Sequence, residues 1–164
     1  RYYARVLGVF DKKYLGVDFS VTEVRIIGEI GRNSSLTAKE LAEWITRIRD
    51  GWSAVSVEHV DSIGITDDPQ IGDHLNVQAY VSLGSLRPED VSVEVAYGKA
   101  LENDHLEDPR TAELVQTEDL GSGRHLFSGT IGIEQAGPFG YTVRVLPVHS
   151  GLASKAELGL VANA

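Results

Sequence analysis

Five histidines are the side chains of this sequence best suited to bind a metal ion or to transfer a proton: His59, His74, His105, His125 and His149. No two of them are three or four positions apart, so no helix can present a histidine pair to zinc. This spacing predicts structural or solvent-exposed histidines and no metal site.

Two short segments and three serines could also carry chemistry. Residues 102–108 hold four carboxylates but lack the ordered spacing and glycine of an EF-hand, which predicts a solvated loop. The pattern that follows Gly121–Gly123 is that of a strand, which predicts a hairpin turn and not a phosphate cradle. Ser34, Ser35 and Ser128 have no nucleophile-elbow context. We therefore expect no catalytic residue and no cofactor.

The composition is that of one ordinary domain or two very small ones, with 164 residues, 42% hydrophobic and 24% charged. The absence of cysteine excludes disulfides, thiolate metal sites and a cysteine nucleophile, and fits a cytoplasmic location. No apolar run approaches the ~20 residues of a membrane span, so we expect no membrane partner. The chain begins at Arg1 and contains no methionine, which suggests a fragment or a designed chain.

The net charge of −9 is distributed unevenly. Residues 1–52 hold nine Lys and Arg against seven Asp and Glu, whereas residues 53–164 hold six against seventeen. So acidic a surface repels a phosphate backbone, which disfavours a nucleic-acid partner and leaves the first third as the only region suited to one.

The first 51 residues carry helix signals. Ser20–Glu23 and Thr37–Glu40 match the capping box, and each predicts a helix start. After the second start, an apolar stripe at helical period predicts a helix that ends near Asp50-Gly51; its members are Leu41, Ile45, Ile48 and Trp52. Apolar residues within 2–15 predict a leading helix that ends at Gly16.

From residue 53 the apolar period changes to two. Clear alternation predicts strands over 75–83, 91–97, 127–133 and 141–145, and 54–60 and 112–118 are weaker candidates. Turn-forming residues separate them. The expected fold is α+β, with a helical segment over 1–51 followed by an antiparallel immunoglobulin-like β-sandwich over 53–164.

Residues from about 40 to 164 resemble the C-terminal end of bacterial α-glucan phosphorylases of the maltodextrin or glycogen type. The resemblance lies in Trp44–Trp52, Gly72–Val77, Leu86–Val91, Gly137–Pro147 and Leu158–Val161. It implies a pyridoxal-phosphate enzyme that transfers a glucosyl unit between an α-1,4-glucan and phosphate. The large catalytic core and the cofactor-lysine motif of that family are absent from this sequence, so we expect an accessory module and no enzymatic activity.

Residues 1 to about 43 are similar to the start of MarR-type winged helix-turn-helix regulators. The similarity lies in Tyr14–Ile27 and Leu36–Ala42, and it stops before the recognition helix and wing with which such regulators read DNA. The two resemblances meet within Lys39–Trp44. This meeting point suggests a composite chain, natural or recombined, joined inside one helix.

These hypotheses point to different site residues. As a glucan-binding module, the chain would use an aromatic surface of Tyr80, Tyr97 and Trp52. The competing interpretation packs Tyr80 against the helical segment and uses Trp44 and Trp52 to anchor that segment to the sandwich.

A regulator built on the N-terminal helices would contact DNA phosphates through basic side chains: Arg25, Arg32, Lys39, Arg47 and Arg49.

A homodimer through the N-terminal helix would use one apolar stripe, formed by Tyr3, Leu7, Phe10 and Tyr14.

Overall fold

The computed structural model describes residues 13–14, 17–18, 38–64, 70–101, 105–134 and 137–164. Within these ranges the chain is mostly antiparallel β-structure preceded by helix α1, Ala38–Gly51, and a 3₁₀ turn, Trp52–Ala54. The strands are β1 (Lys13–Tyr14), β2 (Val17–Asp18), β3 (Ser56–Ile63), β4 (His74–Ser82), β5 (Val91–Ala100), β6 (Leu106–Gly121), β7 (Arg124–Gly132), β8 (Phe139–Pro147) and β9 (Ala162–Asn163).

Strands β3 to β9 form one antiparallel sheet in the order β3-β4-β7-β6-β5-β8-β9. The long strand β6 joins its two parts, because β6 pairs with β5 up to Leu114 and with β7 from Val115 onward. The sheet curves into a half-barrel in which edge strand β3 approaches β8 and β9. The α+β class is thus supported for the described residues. The immunoglobulin-like sandwich is not confirmed, since these seven strands share one hydrogen-bonded sheet.

The core is a single apolar cluster that includes one face of the sheet and one face of α1. Leu41, Ile45 and Ile48 are fully buried, as the helical stripe predicted. The helix also ends where the sequence indicated. A Cβ at Gly51 would lie 2.6 Å from the Leu86 side chain, so a larger residue there would force Leu86 to shift.

Strand β5 departs from the predicted alternation. Its first six residues, Val91–Ala96, are all buried, including Ser92 and Glu94 on the face opposite the core. Part of the C-terminal segment lies over that face, since the Lys155 ammonium contacts both Ser92 and Glu94. The sequence pattern alone could not predict this cover, because it comes from a segment about sixty positions away.

The predicted leading helix is wrong at its C-terminal end. Lys13–Tyr14 and Val17–Asp18 form a two-stranded antiparallel ladder, with Tyr14 opposite Val17. Tyr and Val both favour strands, which fits this pairing. Residues 1–12 and the predicted helix that begins at Ser20 lie outside the described residues.

Among the described residues, no helix is both long and apolar enough to cross a membrane.

Candidate functional site

The most densely hydrogen-bonded side chain of the described residues is the Asp90 carboxylate, which is 2% exposed. The Trp44 indole N–H donates to its Oδ1 at 2.9 Å, and the Arg47 guanidinium donates to the same oxygen at 2.8 Å. Its Oδ2 accepts from the Arg87 backbone N–H at 3.2 Å and from Arg87 Nε at 3.3 Å. We call Asp90 with Trp44, Arg47 and Arg87 the Asp90 cluster; it joins α1 to the sheet.

Local sequence explains why Asp90 points inward. Pro88 starts a 3₁₀ turn, Pro88–Asp90, since its fixed φ suits a first helical position. The turn brings the Asp90 side chain back to the Arg87 backbone N–H, as in a helix cap. Strand β5 then begins at Val91.

The electrostatics of Asp90 favour the charged form. Burial raises the pKa of Asp90, but the hydrogen bonds from Arg47, Arg87 and Trp44 outweigh burial and bring its pKa below the ordinary aspartate value. Asp90 is therefore an ionised carboxylate whose two oxygens are already engaged. A group in this state holds structure together and is poorly placed to take up a proton during a reaction.

The His149 ring packs against the Trp44 indole. The two rings lie 4.6 Å apart between centroids with a tilt of 36°. Burial lowers the pKa of His149, nearby Asp90 raises it and nearby Arg47 lowers it, and the net direction is down. His149 is therefore held mainly as a neutral ring against the indole.

A second polar network lies on the outer face of β5. Arg144 on β8 donates to Glu94 Oε1 at 2.7 Å, and Lys155 Nζ lies 3.5 Å from Glu94 Oε2. Lys155 also donates to Ser92 Oγ at 2.6 Å, and Ser92 donates to Glu113 at 3.0 Å. This network fastens the C-terminal segment to the sheet, so its charges too have structural partners.

The other histidines and the predicted acidic loop show no convergent arrangement. His59 pairs with Asp61 at 2.8 Å on the surface, and His125 is buried beside Gln116. His74 and His105 are exposed. Residues 102–104 of the acidic segment lie outside the described residues.

The three predicted glucan-contact residues are not brought onto one surface. Tyr80 is half-buried on the outward side of β4, where its ring lies 5.9 Å from that of His59 and not against α1. Tyr97 on β5 and Trp52 after α1 are both half-buried against the core. Trp44 does anchor the helix, through Asp90, as the competing interpretation predicted.

Tyr97 instead lies beside a different aromatic ring. Its centroid is 6.3 Å from that of Phe139 on β8. Both rings line a cleft at the ends of β5, β6, β7 and β8.

Three of the five predicted DNA-contact residues lie within the described part of the chain. Arg47 is committed to Asp90, and Lys39 Nζ lies 3.7 Å from Glu43. Arg49 is exposed on α1. Arg25 and Arg32 lie outside the described residues.

Three of the four predicted dimer residues, Tyr3, Leu7 and Phe10, also lie outside the described residues. The backbone of the fourth, Tyr14, is in β1.

Comparison with known proteins identifies the family. The glycogen phosphorylase C-terminal domain family matches residues 52–164, more than half of the chain. This chain belongs to that family. It is 44% identical over 124 residues to the glycogen phosphorylases of Mycobacterium bovis and of Mycobacterium tuberculosis H37Rv, covering 76% of this chain and 14% of each relative. It is 35% identical over 133 residues to the maltodextrin phosphorylase of Thermococcus litoralis, and this alignment covers 79% of this chain and 15% of that enzyme.

The family match concerns one end of much longer proteins, since the chain spans about one seventh of the length of these relatives. The match begins at residue 52, so it does not show the predicted resemblance of residues 1–43 to MarR-type regulators. Among solved structures, the alkylpurine DNA glycosylase of Pseudomonas fluorescens bound to DNA has a TM-score of 0.40 and 16% identity over 86% of this chain and 41% of its own. That likeness is too slight to define a shared fold.

The lysines whose side chains are described do not fit pyridoxal phosphate, the cofactor implied by the phosphorylase resemblance. A lysine that forms an imine with that cofactor needs an amine free to react. The Lys39, Lys99 and Lys155 ammonium groups each lie within 4 Å of a carboxylate, at 3.7, 3.2 and 3.5 Å.

Sequence reasoning did not single out Asp90, Glu94 or Arg144. A usable signal existed for Asp90, since Arg87-Pro88 followed by an acidic residue at the third position indicates a capped turn. Glu94 gave no such signal, because a charged residue between alternating valines is typical of a solvent-facing position.

Proposed function

We propose that this chain is a non-catalytic structural module of an α-glucan phosphorylase-like protein. The observation that carries the proposal is the Asp90 cluster. It is assembled from Trp44–Trp52 and Leu86–Val91, two of the segments that carry the phosphorylase resemblance. In the described residues these segments supply packing and a buried ion pair that join a helix to a sheet.

The contacts of Glu94, the other buried carboxylate of the described residues, support the same proposal. Glu94 is held by Arg144 and Lys155, so this buried carboxylate too is engaged in contacts that join strands to the C-terminal segment. These ion pairs fasten the helix and the C-terminal segment to the sheet, which suits a module that supports a larger catalytic unit.

The chain alone should show no phosphorylase activity. Purified protein incubated with maltodextrin, inorganic phosphate and pyridoxal phosphate is expected to form no glucose 1-phosphate, measured by a coupled dehydrogenase assay. The glycogen phosphorylase of Mycobacterium tuberculosis is the positive control. Turnover above the blank would overturn the non-catalytic assignment.

A graft tests the structural role directly. Residues 38–164 would replace the corresponding C-terminal segment of the mycobacterial enzyme. The graft is expected to remain soluble and to retain activity, whereas deletion of the segment without replacement is expected to abolish soluble expression. An active, soluble deletion enzyme would show that the segment has no structural role.

A further inference from the structure

Within the described residues, the outer face of β3, β4, β7 and β6 is open, unlike the outer face of β5, which the C-terminal segment covers. Val115 on β6 is 66% exposed and Ile63 on β3 is 63% exposed, and both lie on this face. The strand register aligns its side chains in three rows that run across the strands. We call these rows the open face: Ile63, Asn76 and Thr130; Asp61, Gln78, Ser128 and Val115; His59, Tyr80, Leu126 and Glu118.

The centre of the open face is uncharged. Its middle strands, β4 and β7, present amide, hydroxyl and phenol groups and one leucine. The carboxylates of the three rows lie on the flanking strands, and one of them, Asp61, is paired with His59 at 2.8 Å. About one fifth of residues 53–164 are charged, so this centre differs from the composition of the module. Depletion of charge, with tyrosine present, is typical of the core of a protein–protein interface.

Apolar side chains flank this centre on opposite sides. Ile63 and Val115 are both branched and mostly exposed, so covering them removes apolar area from water, which is favourable. Within the centre, the Thr130 hydroxyl donates to Asn76 Oδ1 at 2.6 Å. This hydrogen bond orders part of the polar surface before any partner arrives, which lowers the entropic cost of contact.

We infer that the open face packs against the larger unit of a phosphorylase-like protein, on a surface that is likewise uncharged and polar. The identity of the partner rests on the proposed structural role, while the position of the contact rests on the open face. In the mycobacterial relatives the matched segment is 14% of the chain, so most of each relative lies outside it. Amides and hydroxyls both donate and accept hydrogen bonds, whereas a charged partner would be desolvated against them without an opposite charge.

The size of the open face favours an attached unit over a second copy of the chain. Strands lie about 4.8 Å apart and alternate residues lie about 6.8 Å apart along a strand, so four strands and three rows cover about 400 Å². Counted on both partners, about 800 Å² falls within the range of contacts between domains of one chain, about 600–1,500 Å². It falls below the roughly 1,600 Å² of a standard interface between separate proteins.

Single cysteines test this contact, because the chain has no cysteine of its own. Val115→Cys and Ile63→Cys are each labelled with a maleimide in the isolated 164-residue chain and in the graft into the mycobacterial enzyme. Peptide mass spectrometry quantifies the label at each position. The labelling rate is expected to fall about tenfold or more in the graft, because a covered thiol reacts only during local opening. The control Ser154→Cys, at an exposed position of the C-terminal segment, should react at the same rate in both proteins.

An isosteric charge tests the chemistry of the partner surface. Gln78→Glu places a carboxylate in the row of Val115. It is expected to leave the labelling rate of Val115→Cys unchanged in the isolated chain and to raise that rate about threefold or more in the graft, because the contact must then bury a charge. Ser154→Glu adds the same charge outside the open face and should change neither rate.

Equal labelling of Val115→Cys and Ile63→Cys in the chain and in the graft would overturn the inference and leave the structural role intact. Labelling that slows as the isolated chain is concentrated would also overturn it, since a second copy would then cover the face. An unchanged rate with Gln78→Glu in the graft would overturn the uncharged character of the partner surface. An insoluble graft would reject the structural role and, with it, the packing of the open face on a larger unit.

Discussion

Asp90 adds a buried polar link between α1 and the sheet to the apolar packing of Leu41, Ile45 and Ile48. Replacing it by alanine leaves the buried Trp44 N–H without its acceptor and removes the partner of Arg47 and Arg87. We expect Asp90→Ala to lower the free energy of unfolding by about 2–4 kcal/mol. Urea denaturation followed by tryptophan fluorescence measures the change.

Glu89→Ala is the matched control for Asp90→Ala. Glu89 is the neighbouring acidic residue, and its contact with Arg87 at 3.2 Å is solvent-exposed. Its removal should change the free energy of unfolding by no more than about 0.5 kcal/mol. Equal effects of the two substitutions would contradict the role given to the Asp90 cluster.

His149 predicts a pH dependence of stability. Its pKa is lower in the folded protein than in the unfolded chain, mainly because the ring is partly buried against Trp44. The unfolded state therefore binds the proton more readily. The contribution of His149 is fully present above an unfolded pKa of about 6.5 and is lost as the pH falls through the lower folded pKa.

The measurement is the urea concentration at the midpoint of unfolding, for the wild-type chain and for His149→Gln. It is made at several pH values between about 8 and 5, a range that includes the pKa of histidine in an unfolded chain. The wild-type midpoint should fall more steeply on acidification than that of the variant. Parallel curves would show that His149 does not contribute.

At the scale of elements, the β6–β7 turn contains two glycines with similar φ and different surroundings. Gly121 has φ +78° and an added Cβ meets nothing within 4 Å. Gly123 has φ +75° and an added Cβ would lie 2.3 Å from the Gly84 carbonyl oxygen. The turn also accepts a hydrogen bond from the Leu83 N–H at the Gly123 carbonyl, so it is docked on the end of β4.

Alanine at these two positions separates backbone strain from collision. Gly121→Ala should cost about 1 kcal/mol of stability, the cost of a left-handed backbone for a residue with a Cβ. Gly123→Ala should cost more, because the turn must also move away from Gly84. Thermal unfolding of both variants measures the difference, and equal melting temperatures would contradict it.

Helix α1 and strand β5 show how far sequence patterns define an element. The capping box Thr37–Glu40 and the end at Asp50-Gly51 predicted the bounds of α1, and its apolar stripe predicted the buried face, because side chains at a 3.6-residue period share one side of a helix. The alternation in β5 predicted a strand, but its outer face is buried by the segment that carries Lys155. A strand pattern specifies which residues share a face and leaves open what covers each face.

At the scale of the whole molecule, self-association stays a prediction. The backbone of Tyr14 lies in the β1–β2 ladder, so a homodimer would depend on the other three predicted contact residues, Tyr3, Leu7 and Phe10. Light scattering of the full chain is expected to give twice the monomer mass of 17.8 kDa, and Phe10→Asp should shift the mass toward the monomer because burial of a charge at an apolar contact is unfavourable.

A mass of one chain at every concentration would reject this dimer. Arg49→Asp, on α1 and outside the predicted stripe, is the control. It should leave the mass unchanged.

The sequence by itself determined the helix over 38–51, most strands of the sheet and the resemblance to a phosphorylase C-terminal end, because periodicity and local motifs are properties of neighbouring residues. The tertiary structure decided that the strands form one half-barrel sheet and that Tyr97 lies beside Phe139. It also decided that Asp90 accepts hydrogen bonds from Trp44 and Arg47, which precede it by 46 and 43 positions in the sequence. These outcomes depend on contacts between distant segments, and such contacts arise only when the chain has packed its shared core.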